Sequence, residues 1–179
     1  MFERACSNRR LKADLTDSFF IFNQDENRGF LMKKSGILNA ELMKALTEAR
    51  HGDCIILLDA GMPVPEKCRY IDIGLVRGIP SFLQVLHAVL GEFIAERYEV
   101  YDLMPTYNPA MYQTIQAFMP NVPGSTVTES KMLELMKTAK AVIRTAEFGS
   151  CCNMVLYSAS GMDKYVEKFN IDPPKGEEL

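Results

Sequence analysis

The sequence predicts an α/β fold, layered around a largely parallel or mixed sheet. Three observations predict it. Short apolar runs alternate with stretches whose apolar residues recur at helical spacing. One run, Cys54-Ile55-Ile56-Leu57-Leu58, is apolar throughout, as a strand buried on both faces must be, and it ends in a carboxylate, Asp59. Helix-start signals recur between the runs, at Asn39, Ser81 and Asn108-Pro109.

The first helix carries Leu38, Leu42, Ala45, Leu46 and Ala49 on one stripe, with Asn39 as N-cap and Glu41 in the first turn. The strand ending at Asp59 follows. Ala60-Gly61-Met62-Pro63-Val64-Pro65 then stops regular structure, because glycine and two prolines cannot continue it. A short strand is expected within Arg69–Leu75. Ser81 caps a helix whose buried stripe is Phe82, Val85, Leu86, Val89, Leu90 and Phe93. A strand is expected over Glu99–Leu103. Asn108-Pro109 opens a helix with Met111, Ile115, Phe118 and Met119 inward. A short strand over Ser125–Thr128 precedes a helix over Lys131–Lys140, with Met132, Leu133 and Met136 inward. Ala141–Thr145 and Asn153–Tyr157 read as the two last strands.

The 179 residues suit one domain with one substantial core. Residues 1–31 are polar and aperiodic apart from Phe19-Phe20-Ile21-Phe22, and are expected to be a poorly ordered extension. Residues 32–160 hold the patterned domain. Residues 161–179 carry a short helical pattern near Tyr165–Phe169 and a Pro-, Gly- and Glu-rich tail expected to be disordered.

A formal net charge of -3 with no basic run argues against nucleic acid and against an anionic membrane surface. No apolar stretch approaches the roughly twenty residues of a membrane span, and no leader pattern is read at the N-terminus. Five cysteines, an odd number with no C-x-x-C pair, point to reduced thiols and a cytoplasmic location. Glycine-rich phosphate loops, H-E-x-x-H, zinc-type spacing and G-x-S-x-G are all missing from the sequence. The expectation is a protein needing neither cofactor nor metal.

Two residues stand out chemically. His51, in His51-Gly52-Asp53, lies between the first helix and the buried strand. Histidine suits proton transfer near neutral pH, yet a lone loop histidine is more often structural or solvated than catalytic. Asp59 ends a buried strand, where ligands of this fold class commonly bind. Its partial burial demands hydrogen-bond donors. A polyhydroxy ligand or the N–H groups of the following loop would serve, and both readings stay open. The other histidine, His87, is read as a packing or subunit contact.

Four blocks together resemble the D-ribose pyranase / L-fucose mutarotase (RbsD/FucU) family. They are Met32-Lys33-Lys34-Ser35-Gly36-Ile37-Leu38-Asn39; His51-Gly52-Asp53 through Asp59-Ala60-Gly61-Met62-Pro63-Val64-Pro65; Ile71-Asp72-Ile73-Gly74-Leu75-Val76-Arg77-Gly78-Ile79-Pro80-Ser81-Phe82-Leu83-Gln84-Val85-Leu86; and Ala141-Val142-Ile143-Arg144-Thr145 running on to Asn153. They fall in family order from Met32 to about Ser160. Gly61, where fucose mutarotases tend to carry histidine, makes the chain similar to the ribose branch. Because family members normally begin near Met32, that residue is read as an alternative start.

The resemblance implies a three-layer α/β/α subunit with a mixed central sheet. It implies interconversion of cyclic forms of a free monosaccharide, of the ribose or fucose class, by acid–base ring opening. It also implies a ring-shaped homo-oligomer, typically a decamer of two pentameric rings, with sites between neighbouring subunits. By position, His51 matches the catalytic histidine, Asp59 a sugar-binding aspartate and Asn153 a sugar-binding asparagine. Two positions depart from the pattern. Glu129 stands where the family usually has a second histidine, and Cys151-Cys152-Asn153 replaces tyrosine, a small residue and asparagine. Leu133 stands where a lysine is expected. Ionised Glu129 accepts hydrogen bonds and donates none, and as a carboxylate at a helix start it also suits the helix dipole. These changes bear on substrate and activity, and a sugar-binding descendant without catalysis is the alternative.

Overall fold

The computed structural model describes residues 36–160. The readings of residues 1–31 and of the tail from Gly161, including the Tyr165–Phe169 helix, lie outside the described residues. The elements in chain order are α1 (Ala40–Glu48), β1 (Cys54–Leu58), β2 (Tyr70–Asp72), α2 (Phe82–Leu90), β3 (Ala95–Tyr101), α3 (Met104–Tyr107), α4 (Pro109–Phe118), β4 (Gly124–Val127), α5 (Glu129–Met136), β5 (Ala141–Arg144) and β6 (Met154–Ser158).

Six strands form one sheet in the order β2-β5-β1-β6-β3-β4. The pairs β2/β5, β5/β1 and β3/β4 are parallel, whereas β6 runs antiparallel to both β1 and β3. The sheet is therefore mixed, with one reversed strand near its middle. The two last strands among the described residues occupy the interior of the sheet, β5 between β2 and β1 and β6 between β1 and β3. β6 is buried throughout and β5 over Ala141–Ile143, which explains why both read as apolar runs without alternation.

Helices cover both faces. Ile55 and Leu57 of β1 point to one side, into a core shared with Leu42 and Leu46 of α1, Phe82, Val85 and Leu86 of α2 and Ile115 of α4. Ile56 and Leu58 point to the other, where Met132 and Met136 of α5 pack on Val142 and Val155. The three-layer α/β/α arrangement is the one expected.

The caps act as the sequence suggests. The Asn39 side chain accepts from the Leu42 N–H at 3.0 Å. Ser81 and Gln84 form a reciprocal capping box. Asn108 caps α4 with Pro109 behind it. Several boundaries differ from the expected ones. The strand expected over Glu99–Leu103 is Ala95–Tyr101, with a register irregularity between Ala95 and Arg97. Leu103 instead adopts helical dihedrals and leads into α3, whose first turn accommodates Pro105. The helix expected from Lys131 starts at Glu129, because the Thr128 side chain caps it, and ends at Met136. Lys140 N–H already donates to the Cys54 carbonyl, which commits it to the sheet.

Candidate functional site

Strands β1, β2, β3, β4 and β5 all point the same way, so their C-terminal ends share one edge. The start of the reversed strand β6 lies at that edge too. This is where an open α/β sheet places its ligands, and it brings Asp59 and Asn153 together from residues 94 positions apart in sequence.

Asp59 sits one residue past β1 and is only 9% exposed. Its Oδ1 accepts from the N–H groups of Gly61 and Met62, both at 2.9 Å. Its Oδ2 accepts from the Cys152 N–H at 3.2 Å and from Asn153 Nδ2 at 3.0 Å. Asn153 Oδ1 accepts in return from the Asp59 N–H at 2.9 Å. The carboxylate thus fastens the Gly61–Met62 loop to the Cys151–Asn153 turn. Four donors answer the desolvation cost of burying it.

The turn facing it is bent. Cys151 has φ 61°, a left-handed backbone for a residue with a side chain, at a cost of roughly 1–2 kcal/mol. That bend turns the Cys152 N–H onto Asp59 and lets the Asn153 N–H reach the Cys151 carbonyl at 2.9 Å. Cys152 is fully buried, and burial, followed by the charges of Glu147 and Asp59, pushes its thiol up to about 12. Burial, with the charge of Asp59 next, also raises the partly buried Cys151 thiol.

A cleft of about 260 Å³ opens over these residues, lined by Asp59, Ala60, Gly61 and the segment 147–150. The Glu147 carboxylate shapes its far wall. It accepts from the Phe148 and Gly149 N–H groups and, at 3.4 Å, from the Phe82 N–H at the start of α2. Phe148, 60% exposed, separates this cleft from a second of about 240 Å³ that includes Leu75, Val76, Arg77 and Arg144.

Glu129, at the start of α5, accepts a hydrogen bond from the Tyr101 hydroxyl at 3.0 Å. Burial, followed by this bond to a carboxylate, pushes the Tyr101 phenol up to about 12. Leu133, one turn further along α5, packs with Met62 and Tyr101 on the core of that face.

His51 lies elsewhere. It precedes β1, at the N-terminal edge, where Nε2 meets Glu96 Oε2 at 3.1 Å and the ring is 61% exposed. The length of β1, at about 3.3 Å per residue, separates it from Asp59 by roughly 17 Å. Within one subunit the expected histidine and the expected sugar-binding carboxylate are therefore at opposite ends of the same strand. Asp59, Asn153, Cys151 and Cys152 converge; Glu129 joins them through Tyr101; His51 does not. Sequence reading passed over Tyr101, Glu147 and Glu96. Only strand parity carried a signal for the first: Arg97, Glu99 and Tyr101 alternate with the core residues Tyr98 and Val100. His87, exposed on α2, meets the Phe118 ring edge-on, with 6.3 Å between centroids. Among the described residues, no three His, Cys, Asp or Glu side chains converge as a metal ion would require.

Residues 32–160 match the model of the RbsD / FucU transport protein family. The chain belongs to this family. A D-ribose pyranase from Geobacillus thermodenitrificans is 42% identical over 127 residues, covering 71% of this chain and 96% of that protein. A D-ribose pyranase from Geobacillus kaustophilus is also 42% identical, covering 93% of its own length. Among solved structures, Bacillus subtilis RbsD complexed with D-ribose superposes with a TM-score of 0.68 at 32% identity, over 72% of this chain and 98% of that one. A fucose mutarotase from Streptococcus pneumoniae, solved with L-fucose, shares the fold at a TM-score of 0.58 and 21% identity, over 67% and 91%. No helix among the described residues is long and apolar enough to cross a membrane.

Proposed function

We propose that this RbsD/FucU chain interconverts cyclic forms of a free monosaccharide, D-ribose first among them, as a pyranase or mutarotase. The observation that carries the proposal is 42% identity to D-ribose pyranases along nearly their whole length, in a chain that builds a ligand-sized cleft over Asp59.

Ring interconversion opens the hemiacetal. A base takes the proton of the anomeric hydroxyl, the bond from the anomeric carbon to the ring oxygen breaks, and that oxygen is protonated. Reclosure through another hydroxyl, or on the other face, gives the product. His51 is the catalytic group in this reading, because imidazole both takes and returns a proton near neutral pH. Asp59, Glu129, Asn153 and the Cys151-Cys152 turn hold the sugar. Such catalysis contributes on the order of a hundred- to ten-thousand-fold.

The roughly 17 Å between His51 and Asp59 in one subunit requires a neighbour to supply the histidine. The site is therefore shared between subunits of a ring, in a decamer of two pentameric rings. Leu75, Val76, Ile79 and Phe148, all more than half exposed beside the clefts, support such a contact. The described cysteines are unpaired thiols, which supports a cytoplasmic setting.

The test is magnetisation-transfer NMR on ribose, with fucose for comparison, using the unmodified protein and His51→Ala. Faster pyranose–furanose exchange that His51→Ala abolishes is the expected result. Sugar binding without faster exchange favours the second reading, a binding protein that has lost catalysis. That reading is motivated by Glu129 and Cys151 standing where the relatives' pattern has histidine and tyrosine.

A further inference from the structure

Two carboxylates line the cleft of about 260 Å³, Asp59 and Glu147, and they differ in what they have left to offer a ligand. A carboxylate has about four lone-pair sites, two on each oxygen. Asp59 has filled them. The Gly61 and Met62 N–H groups take Oδ1, and the Cys152 N–H and Asn153 Nδ2 take Oδ2. A sugar hydroxyl reaching Asp59 has to share a lone pair with a protein donor. Glu147 Oε1 is also full, with the Phe148 and Gly149 N–H groups at 3.0 and 2.8 Å. Glu147 Oε2 is not. Among the described residues its one donor is the Phe82 N–H, at 3.4 Å, longer than the usual range of such bonds.

The backbone that carries Glu147 is held on both sides. Thr145, just past β5, gives its N–H and its hydroxyl to the Leu58 carbonyl, each at 2.9 Å. The Ala60 N–H donates to the Glu147 carbonyl at 2.8 Å. The Glu147 side chain then folds back over its own chain. Gly149 permits this, since a Cβ there would lie 3.1 Å from Glu147 Oε1 and 3.2 Å from Cys152 Sγ. Two backbone bonds on Oε1 hold the carboxyl group in place and leave Oε2 its spare acceptor capacity. An acceptor set in position before a ligand arrives costs little to order on binding.

We infer that Glu147 is a substrate-contacting residue of this cleft, accepting a sugar hydroxyl at Oε2, while Asp59 keeps the two walls of the cleft in register. The inference rests on the sugar-binding reading above. An ionised carboxylate accepts and does not donate, so Glu147 selects a ligand that presents a hydroxyl proton at that point. It acts on affinity, and the proton transfer belongs to His51.

The experiment labels the protein with glutamate carrying 13C at Cδ and identifies the Glu147 signal by its loss in Glu147→Gln. That variant can keep its amide oxygen on the Phe148 and Gly149 N–H groups and turn its NH2 toward the cleft. Glu147→Asp, which draws the carboxylate back by one methylene, takes its place if Glu147→Gln does not fold. D-Ribose is titrated into the labelled protein, and its Kd is measured by calorimetry on the unmodified protein and the variant. The expected result is a ribose-dependent shift of the Glu147 signal. With it comes a Kd raised about tenfold or more in the variant, the loss of a hydrogen bond to a charged group. A raised Kd beside an unmoved Glu147 signal makes the residue part of the wall only and overturns the inference. A Kd that stays within about threefold overturns it too, and neither result touches the proposed function. Magnetisation-transfer NMR on the unmodified protein tests that function separately. Ribose that binds and shifts the Glu147 signal without faster pyranose–furanose exchange overturns the pyranase activity and supports the contact. A protein that binds no ribose and accelerates no exchange overturns both.

Discussion

Asp59 and Asn153 are joined by two hydrogen bonds that run in opposite directions. Asn153 donates from Nδ2 to Asp59 Oδ2 at 3.0 Å, and it accepts at Oδ1 from the Asp59 N–H at 2.9 Å. Each residue fixes the rotamer of the other, and together they tie the end of β1 to the start of β6. Asp59→Asn replaces one acceptor oxygen with an NH2 group. Whichever way that amide turns, buried donors face a donor. The expected cost is about 1–3 kcal/mol, read as a lower urea midpoint with an unchanged slope.

The proposed sharing of the site between subunits also makes a prediction about mixtures. Subunits carrying His51→Ala and subunits carrying Asp59→Asn are each expected to form inactive homo-oligomers. Co-expressed, they are expected to recover exchange activity at about a quarter of the sites, where an intact His51 of one subunit meets an intact Asp59 of its neighbour. Activity that stays at zero in mixed rings of normal size would place both groups in one subunit's site and contradict the distance along β1.

Acid stability has a local contributor at the opposite edge. The Arg50 N–H, donating at 2.8 Å, holds the Asp53 carboxyl below its ordinary value of 3.8; burial opposes this, and Lys140 at 3.1 Å adds to it. A carboxyl whose pKa is lower in the folded state contributes stability above its unfolded pKa and loses it as pH falls through the folded one. Asp53→Asn is therefore expected to be less stable than the unmodified protein at neutral pH. Unfolding midpoints measured across the acid range are expected to converge below 3.8.

Much of the fold was readable because its signals are local. Asn39, Ser81 and Asn108 announce helices through bonds to residues three positions on, and the five apolar residues of β1 announce burial on both faces. The start of β3 was misplaced because residues 95–98 are held by a strand distant in sequence. Ala95, Arg97 and Tyr98 pair with Ser158, Tyr157 and Leu156, and nothing near them in the chain says so. The site divides the same way. Asp59 could be recognised as a buried carboxylate in need of donors, with either a loop or a ligand to provide them. The structure finds four protein donors, which makes it an anchor whatever else it binds. Tyr101 had only its strand parity to mark it, because its partner Glu129 is 28 residues away and meets it only once β3 and β4 lie in parallel.

The reversed strand β6 carries a consequence for synthesis. It is the last strand of the described chain, yet it fills the gap between β1 and β3, which otherwise have no partner on that side. A chain leaving the ribosome holds two half-sheets that cannot join until residues 154–158 emerge, about a hundred residues after β1. Closing so long a loop late makes for slow, non-local folding. Until then β1 and β3 each expose an edge of unpaired backbone groups, an invitation to wrong partners that the final strand withdraws.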